Sequence, residues 1–433
     1  MPRPLLAVML VSALAAGALT GCSDSAPPLR GEVHVPADAA TLNAAMDLVS
    51  PGGVVVLAAG TYQEQLLVDK ADVTIRGEDR NRTVIDGGGI RPYGIVAIAG
   101  GVRIENLTVT GATFYGVLVT GLHDGDGPAD PGEDGYTGWD PQSFPPLQRF
   151  LIDHVTAYNN GLYGIYAFNS QHGVIRDSYA SGSADSGFYV GQCEDCDILV
   201  TGNVAERNAV GFENANASDS VVIVGNRFSD NRVGMTLLSS YQEAFTPQRA
   251  NTVVGNLIAD NVEADSPSQA EGGFATGIGI SGGQRNVIER NRITGNPRAG
   301  VILTNTEDIA ASGNRFADNV VDGTVQVANL SAPRTPAVGN CWAPAVASAP
   351  AELSDQLAAG CGGGDTAQAA TDSLAGPDVP RGVSFRKVAA PRDQAQLDTS
   401  VAHAKLPATV EMPAIASLKV PDEQLFADRS GTR

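Results

Sequence analysis

The sequence predicts an all-β protein, a parallel β-helix solenoid with a short helical lid at the N-terminus and a disordered C-terminal tail. Two observations carry that reading. From Ile104 to about Val327 one phrase recurs: an apolar pair around Asn, a turn, then Gly opening a short apolar strand. It reads Ile223-Val224-Gly225-Asn226-Arg227-Phe228-Ser229-Asp230-Asn231 in one copy and Val254-Gly255-Asn256-Leu257-Ile258-Ala259-Asp260-Asn261 in the next. The units are also built from Val, Ile, Phe and Ala in alternating runs, whereas a leucine-rich repeat of similar period would need several Leu per unit.

The anchor of the phrase falls at Asn106, His154, Asp177, Asn203, Asn226, Asn256, Asn291 and Asn314. Asn suits a tight corner because it tolerates left-handed backbone angles, and Asn side chains stacked about 4.8 Å apart along the axis can bond to one another. A second column, Asn160, Asn208, Asn231, Asn261, Asn296 and Asn319, repeats the device. Each coil is read as about three short strands joined by turns, coiled right-handedly because that crossover is strongly favoured for parallel strands.

In chain order, Arg3 and the apolar run Leu5 to Leu19 predict a secretory signal over residues 1–21. Its end, Leu19-Thr20-Gly21-Cys22, resembles a bacterial lipobox, which implies that Cys22 is lipidated and that 22–35 is a tether. The protein is then exported and held on the outer face of the bacterial cytoplasmic membrane, or cell surface, through that anchor alone. Residues 40–49 place Leu42, Ala45, Met46 and Val49 on one helical face, a lid for the exposed end of a solenoid. The solenoid is expected over 36–332, a disulfide-bearing cap over 333–364, and a largely disordered tail over 365–433, where Ala, Pro, Asp and Thr dominate without period. Within that tail, Leu406 to Val420 is left open between brief strands and a stretch lying against the solenoid.

With Cys22 set aside, four cysteines remain in an exported chain, an even number that points to disulfides. The favoured pairing is Cys193 with Cys196 and Cys341 with Cys361, since no second close pair exists to complete a zinc site. The net charge of −20, from 48 acidic and 28 basic residues, argues against nucleic acid and against direct capture of a polyanion. A polyuronate would need bridging Ca²⁺.

The coil pattern, with Gly52-Gly53-Val54-Val55-Val56-Leu57-Ala58-Ala59-Gly60-Thr61-Tyr62 and Thr83-Val84-Ile85-Asp86-Gly87-Gly88 ahead of it, resembles the right-handed parallel β-helix, or pectin-lyase-like, superfamily. The stretches Tyr163 to Phe168, Ser178 to Ser183 and Gly187 to Cys193 also resemble actinobacterial lipoproteins of that fold. The superfamily's polygalacturonase-like and epimerase-like catalytic sets are absent: Asn305-Thr306-Glu307 and Gln171-His172-Gly173 are altered and in reversed order, and Asp140-Pro141 is followed by Gln142-Ser143. Copper delivery, which the NosD-like members suggest, lacks support, because five His and five Met do not cluster.

Side chains alternate along a strand. If Ile165, Phe188, Phe212 and Met235 point inward, Tyr166, Tyr189, Glu213 and Thr236 form an outward column, with tyrosines able to stack on sugar faces and a carboxylate to accept hydroxyls. Gln192 completes this candidate ligand-binding set. An ordinary solvated sheet face explains the same residues equally well. Candidates for catalysis are His123, Asp153, His154, Asp185 and Glu213, with His172 weaker; a hydrogen-bonded corner residue is the simpler role for His154. Asp124, Asp126 and Asp130, in the insertion 121–149, offer oxygen ligands for Ca²⁺, although a solvated acidic loop is the default. Shorter insertions run over 239–249 and 262–275. The leading expectation is a glycan-binding surface lipoprotein; the alternatives are a polysaccharide lyase, hydrolase or epimerase with a non-standard active site, or an envelope scaffold for protein partners.

Overall fold

The computed structural model describes residues 28–129, 140–217, 219–268, 273–344, 346–349, 359–361, 368–369, 374, 376–398 and 404–432. The signal segment and Cys22 lie outside them. Among the described residues no helix is long and apolar enough to cross a membrane.

A typical coil has three strands, as in Val221–Val224, Arg227–Ser229 and Val233–Leu238, and in Val102–Thr110 and Leu147–Tyr158 the first two run together as one. Every strand pairs in parallel with its counterpart on the next coil, in a 12-stranded sheet and a 21-stranded sheet that bends around the other two sides. The helix Leu42–Leu48 begins at Thr41, whose hydroxyl accepts the Ala44 N–H at 3.1 Å, and buries Leu42, Ala45 and Met46 on the first coil. Lys70 donates to the carbonyls of Asp47 and Val49, where the negative end of the helix dipole favours a cation. Ile165, Phe188, Phe212 and Met235 stack inward without exposure, and each such side chain is worth about 1.5–3 kcal/mol on burial.

Three asparagine ladders hold the corners. One runs Asn203, Asn226, Asn256, Asn291 and Asn319, each amide donating to the next side-chain oxygen at 2.9–3.0 Å. A second runs Asn208, Asn231, Asn261 and Asn296. A third, not foreseen, joins Asn286, Asn314 and Asn340. Asn314 and Asn319 therefore each sit one corner away from their expected columns. Asn106, His154 and Asp177 are also displaced by one residue: they hold the left-handed position (φ 53°, 54° and 48°) that Gly202, Gly225 and Gly255 hold on later coils, immediately before the ladder Asn. The two adjacent positions share a preference for Asn, which made them look like one.

The domain limits shift outward. Arg30–Val35, assigned to the tether, is already a strand on the first coil. Cys341–Ala343 and Ala347–Ala349, assigned to the cap, continue the two sheets, with Trp342 stacked on Phe316. The disulfides are Cys193–Cys196 and Cys341–Cys361.

The largest correction concerns the tail. Residues 376–398 and 404–432 lie along the solenoid as an irregular strap instead of a disordered segment. Arginines on the coils donate to its carbonyls: Arg80 to Ala395, Arg149 to Leu406, Arg232 to Pro380, Arg290 to Ile415 and Arg292 to Pro421. Met412, Ile415 and Leu418 cover Val222, Val224 and Val254. The coils supply the partners that the tail's own composition lacks.

Candidate functional site

The outer face of the 12-stranded sheet carries two adjoining columns. Tyr93 pairs in register with Tyr115, and Tyr163 extends that line, the rings of Tyr115 and Tyr163 lying 5.7 Å apart and 4° from parallel. Beside it run Leu118, Tyr166, Tyr189, Glu213 and Thr236 on successive coils, as expected. Tyr166 and Tyr189 meet edge to face at 4.7 Å, and Tyr163 lies 4.6 Å and 4.8 Å from them.

The column points away from the solenoid core, yet it is not solvent-facing. Tyr166, Tyr189 and Glu213 are 4%, 2% and 8% exposed. Phe144 from the long insertion, with Ala244 and Phe245 from the 239–249 insertion, packs on the second apolar cluster that holds Tyr166, Phe168 and Tyr189 outside the main core. A row of phenol rings is largely apolar surface, and two loops with apolar side chains cover it.

Among the described residues a groove of about 360 Å³ lies to one side, lined by Tyr93, Phe114, Tyr115, Leu118, Thr120, Tyr166 and Phe168, with Leu122, Pro128 and Ala129 of the long insertion as its wall. Phe114 is about half exposed at its edge. The sequence reading missed Tyr93, Tyr115 and Tyr163, although the signal was present: each is the Tyr of a Tyr-Gly pair opening a strand of this sheet.

Carboxylates gather beside the covered end. Ser186 Oγ lies 3.1 Å from both Asp185 Oδ1 and Glu213 Oε2. Glu243, in an insertion where no repeat marks it, accepts from Gln192 and Tyr189; burial pushes its carboxyl up to about 7 against those bonds. Burial raises the Tyr163 phenol well above its ordinary range, with Glu213, Asp185 and Glu243 adding to the shift. The structure thus brings Asp185, Gln192, Glu213 and Tyr189 together.

It separates the rest of the expected catalytic set. Asp153 and His154 lie on the 21-stranded sheet, where Asp153 accepts from His154 Nδ1 at 2.6 Å and from Arg176 Nε at 2.8 Å. Burial raises the Asp153 carboxyl, but the bonds from His154 and Arg176 outweigh it and leave the group below its ordinary value. His172 on the same sheet pairs with Asp197 at 2.8 Å. His123 sits in the long insertion beside the groove wall, its Nδ1 buried and without a hydrogen-bond partner among the described residues. Asp124 uses its Oδ1 to accept the Asp126 and Gly127 N–H groups, fixing its own turn; Asp130 lies outside the described residues.

A family model described as right handed beta helix region matches residues 244–343, and one described as periplasmic copper-binding protein (NosD) matches 66–270. With the parallel coils described above, these place the chain in the right-handed parallel β-helix superfamily. Among solved structures it is similar to the A-module of a mannuronan C-5 epimerase from Azotobacter vinelandii, at 18% identity over 67% of this chain and 86% of that one, TM-score 0.44. It is also similar to an alginate lyase from Paenibacillus, at 15% identity over 68% and 94%, TM-score 0.35. A pectate lyase matches at 16% identity over 84% and 89%, TM-score 0.40. No curated protein matches the sequence.

The described residues do not fit the copper that one family description names. All four of their cysteines are in disulfides, Met46 and Met235 are buried in the core, and His154 and His172 are each held by a carboxylate. The one group of metal-ligand type among them, Asp153, His154 and Asp177, offers a single nitrogen. Arg176 sits 2.5 Å from Asp153 and Arg429 4.0 Å from Asp177, so two guanidiniums already occupy the positions of a cation.

Proposed function

We propose that the protein is an exported lipoprotein, anchored through Cys22, whose β-helix binds a neutral glycan in the aromatic groove of the 12-stranded sheet. The observation that carries this reading is the line of Tyr93, Tyr115 and Tyr163 beside that groove. Such rings present apolar faces to sugar C–H surfaces and hydroxyls at their edges. Asp185, Glu213 and Glu243 flank the covered end, which disfavours an acidic polymer. Two disulfides accord with an oxidising compartment outside the cytoplasm. Ca²⁺ has no support beyond the acidic composition of the 121–149 insertion.

A glycan array probed with the chain carrying Cys22→Ser tests the reading: retention of neutral glycans supports it, and retention of none removes it. A second reading, as a hydrolase or lyase, rests on Glu243, a half-buried carboxyl poised near neutrality that accepts from Gln192 and Tyr189. Release of reducing ends from a retained glycan, abolished by Glu243→Gln, would move the protein to the enzymes.

A further inference from the structure

The same sheet carries a second groove, of about 430 Å³, further along the axis. From Tyr166 the register steps through Tyr189, Glu213 and Thr236 to Gly279 on the floor of this groove. Four coils at about 4.8 Å each put the two floors about 19 Å apart.

The 239–249 insertion is the ridge between them. Ala244 and Phe245 face the aromatic cluster, while Ser239 and Ser240 line the second groove. Tyr241 stands on this ridge with half its surface exposed, and its hydroxyl donates to Asp308 Oδ1 at 2.6 Å, which fixes the ring. Below it the lining is rich in hydroxyls, including Thr236, Thr276 and Thr304. Thr276 is 2% exposed, and its Oγ1, like that of Thr236, is buried without a hydrogen-bond partner among the described residues. A buried hydroxyl left unpaired is costly, and a ligand hydroxyl entering the groove would relieve that cost.

We propose that the second groove is a further sugar subsite, so that one extended neutral glycan lies across both grooves, stacking on Tyr241 and hydrogen-bonding to Thr236 and Thr276. This rests on the glycan reading of the aromatic groove. It adds that affinity grows with chain length once the glycan spans the ridge.

The test is calorimetric titration of the full chain with neutral gluco- and manno-oligosaccharides from disaccharide to octasaccharide. Affinity should rise at least tenfold along the ladder, and Thr276→Val should remove that gain while leaving disaccharide affinity and the melting temperature unchanged. Tyr241→Ala should act likewise. A flat ladder, or a gain that both variants retain, overturns the second subsite alone; if no oligosaccharide of any length binds, the reading of the aromatic groove falls with it.

Discussion

Arg80, fully buried on an early coil, donates its Nη1 to the carbonyl of Ala395 at 3.0 Å, tying the coil stack to a residue 315 positions later. The same guanidinium donates to Thr156 Oγ1 and to the Val155 carbonyl, two coils' worth of chain held by one side chain. The strap is thus part of the folded unit. A chain ending at residue 375 should lose about 3 kcal/mol or more, from the apolar contacts of Met412, Ile415 and Leu418 together with the guanidinium bonds, and melt several degrees lower. An unchanged thermal midpoint would show that the strap contributes nothing to stability.

Asn256 is fully buried, donates to Asn291 and the Ile223 carbonyl, and accepts from Asn226. Asn256→Ala takes the acceptor from the Asn226 backbone N–H and side-chain amide and the donor from the Ile223 carbonyl, buried groups of the preceding coil that cost about 1–3 kcal/mol each when left unpaired. Denaturant unfolding should register a loss of at least about 3 kcal/mol, far above a surface substitution. A loss under about 0.5 kcal/mol would mean the ladder is dispensable.

Glu243 gives the folded protein a pH signature. Its folded value, about 7, lies above the ordinary carboxylate range, so between about pH 4.5 and pH 7 the folded state holds a proton that the unfolded chain has released. Its contribution to stability is complete at the acidic end of that window and is lost as pH rises through about 7. Melting curves of Glu243→Gln across the window should show a smaller decline with pH than the wild type. Parallel declines would place the titration elsewhere.

The repeat made the coils legible because parallel stacking demands the same corner chemistry on every turn, and an Asn ladder states that demand in the sequence. It could not separate the left-handed corner from the ladder residue beside it, since Asn serves both, so His154 was placed one residue off. The phase after Gly164, Gly187 and Gly211 put Tyr166, Tyr189 and Glu213 outward in register, but phase reports direction relative to the core and says nothing of what lies on top. Phe144, Glu243 and Phe245 arrive from insertions that obey no period. The strap was hidden for a related reason: its anchors are backbone carbonyls, which any sequence offers, and the arginines that read them are scattered over the coils.

The most direct test is titration of a neutral glycan retained by the array against Tyr115→Ala. Tyr115 lines the groove outside the main core, and a melting curve of the variant checks first that it is folded. The account predicts at least a tenfold loss of affinity, with wild-type binding nearly independent of salt because stacking contacts are apolar. Wild-type affinity in Tyr115→Ala, or binding that collapses as salt rises, would contradict it.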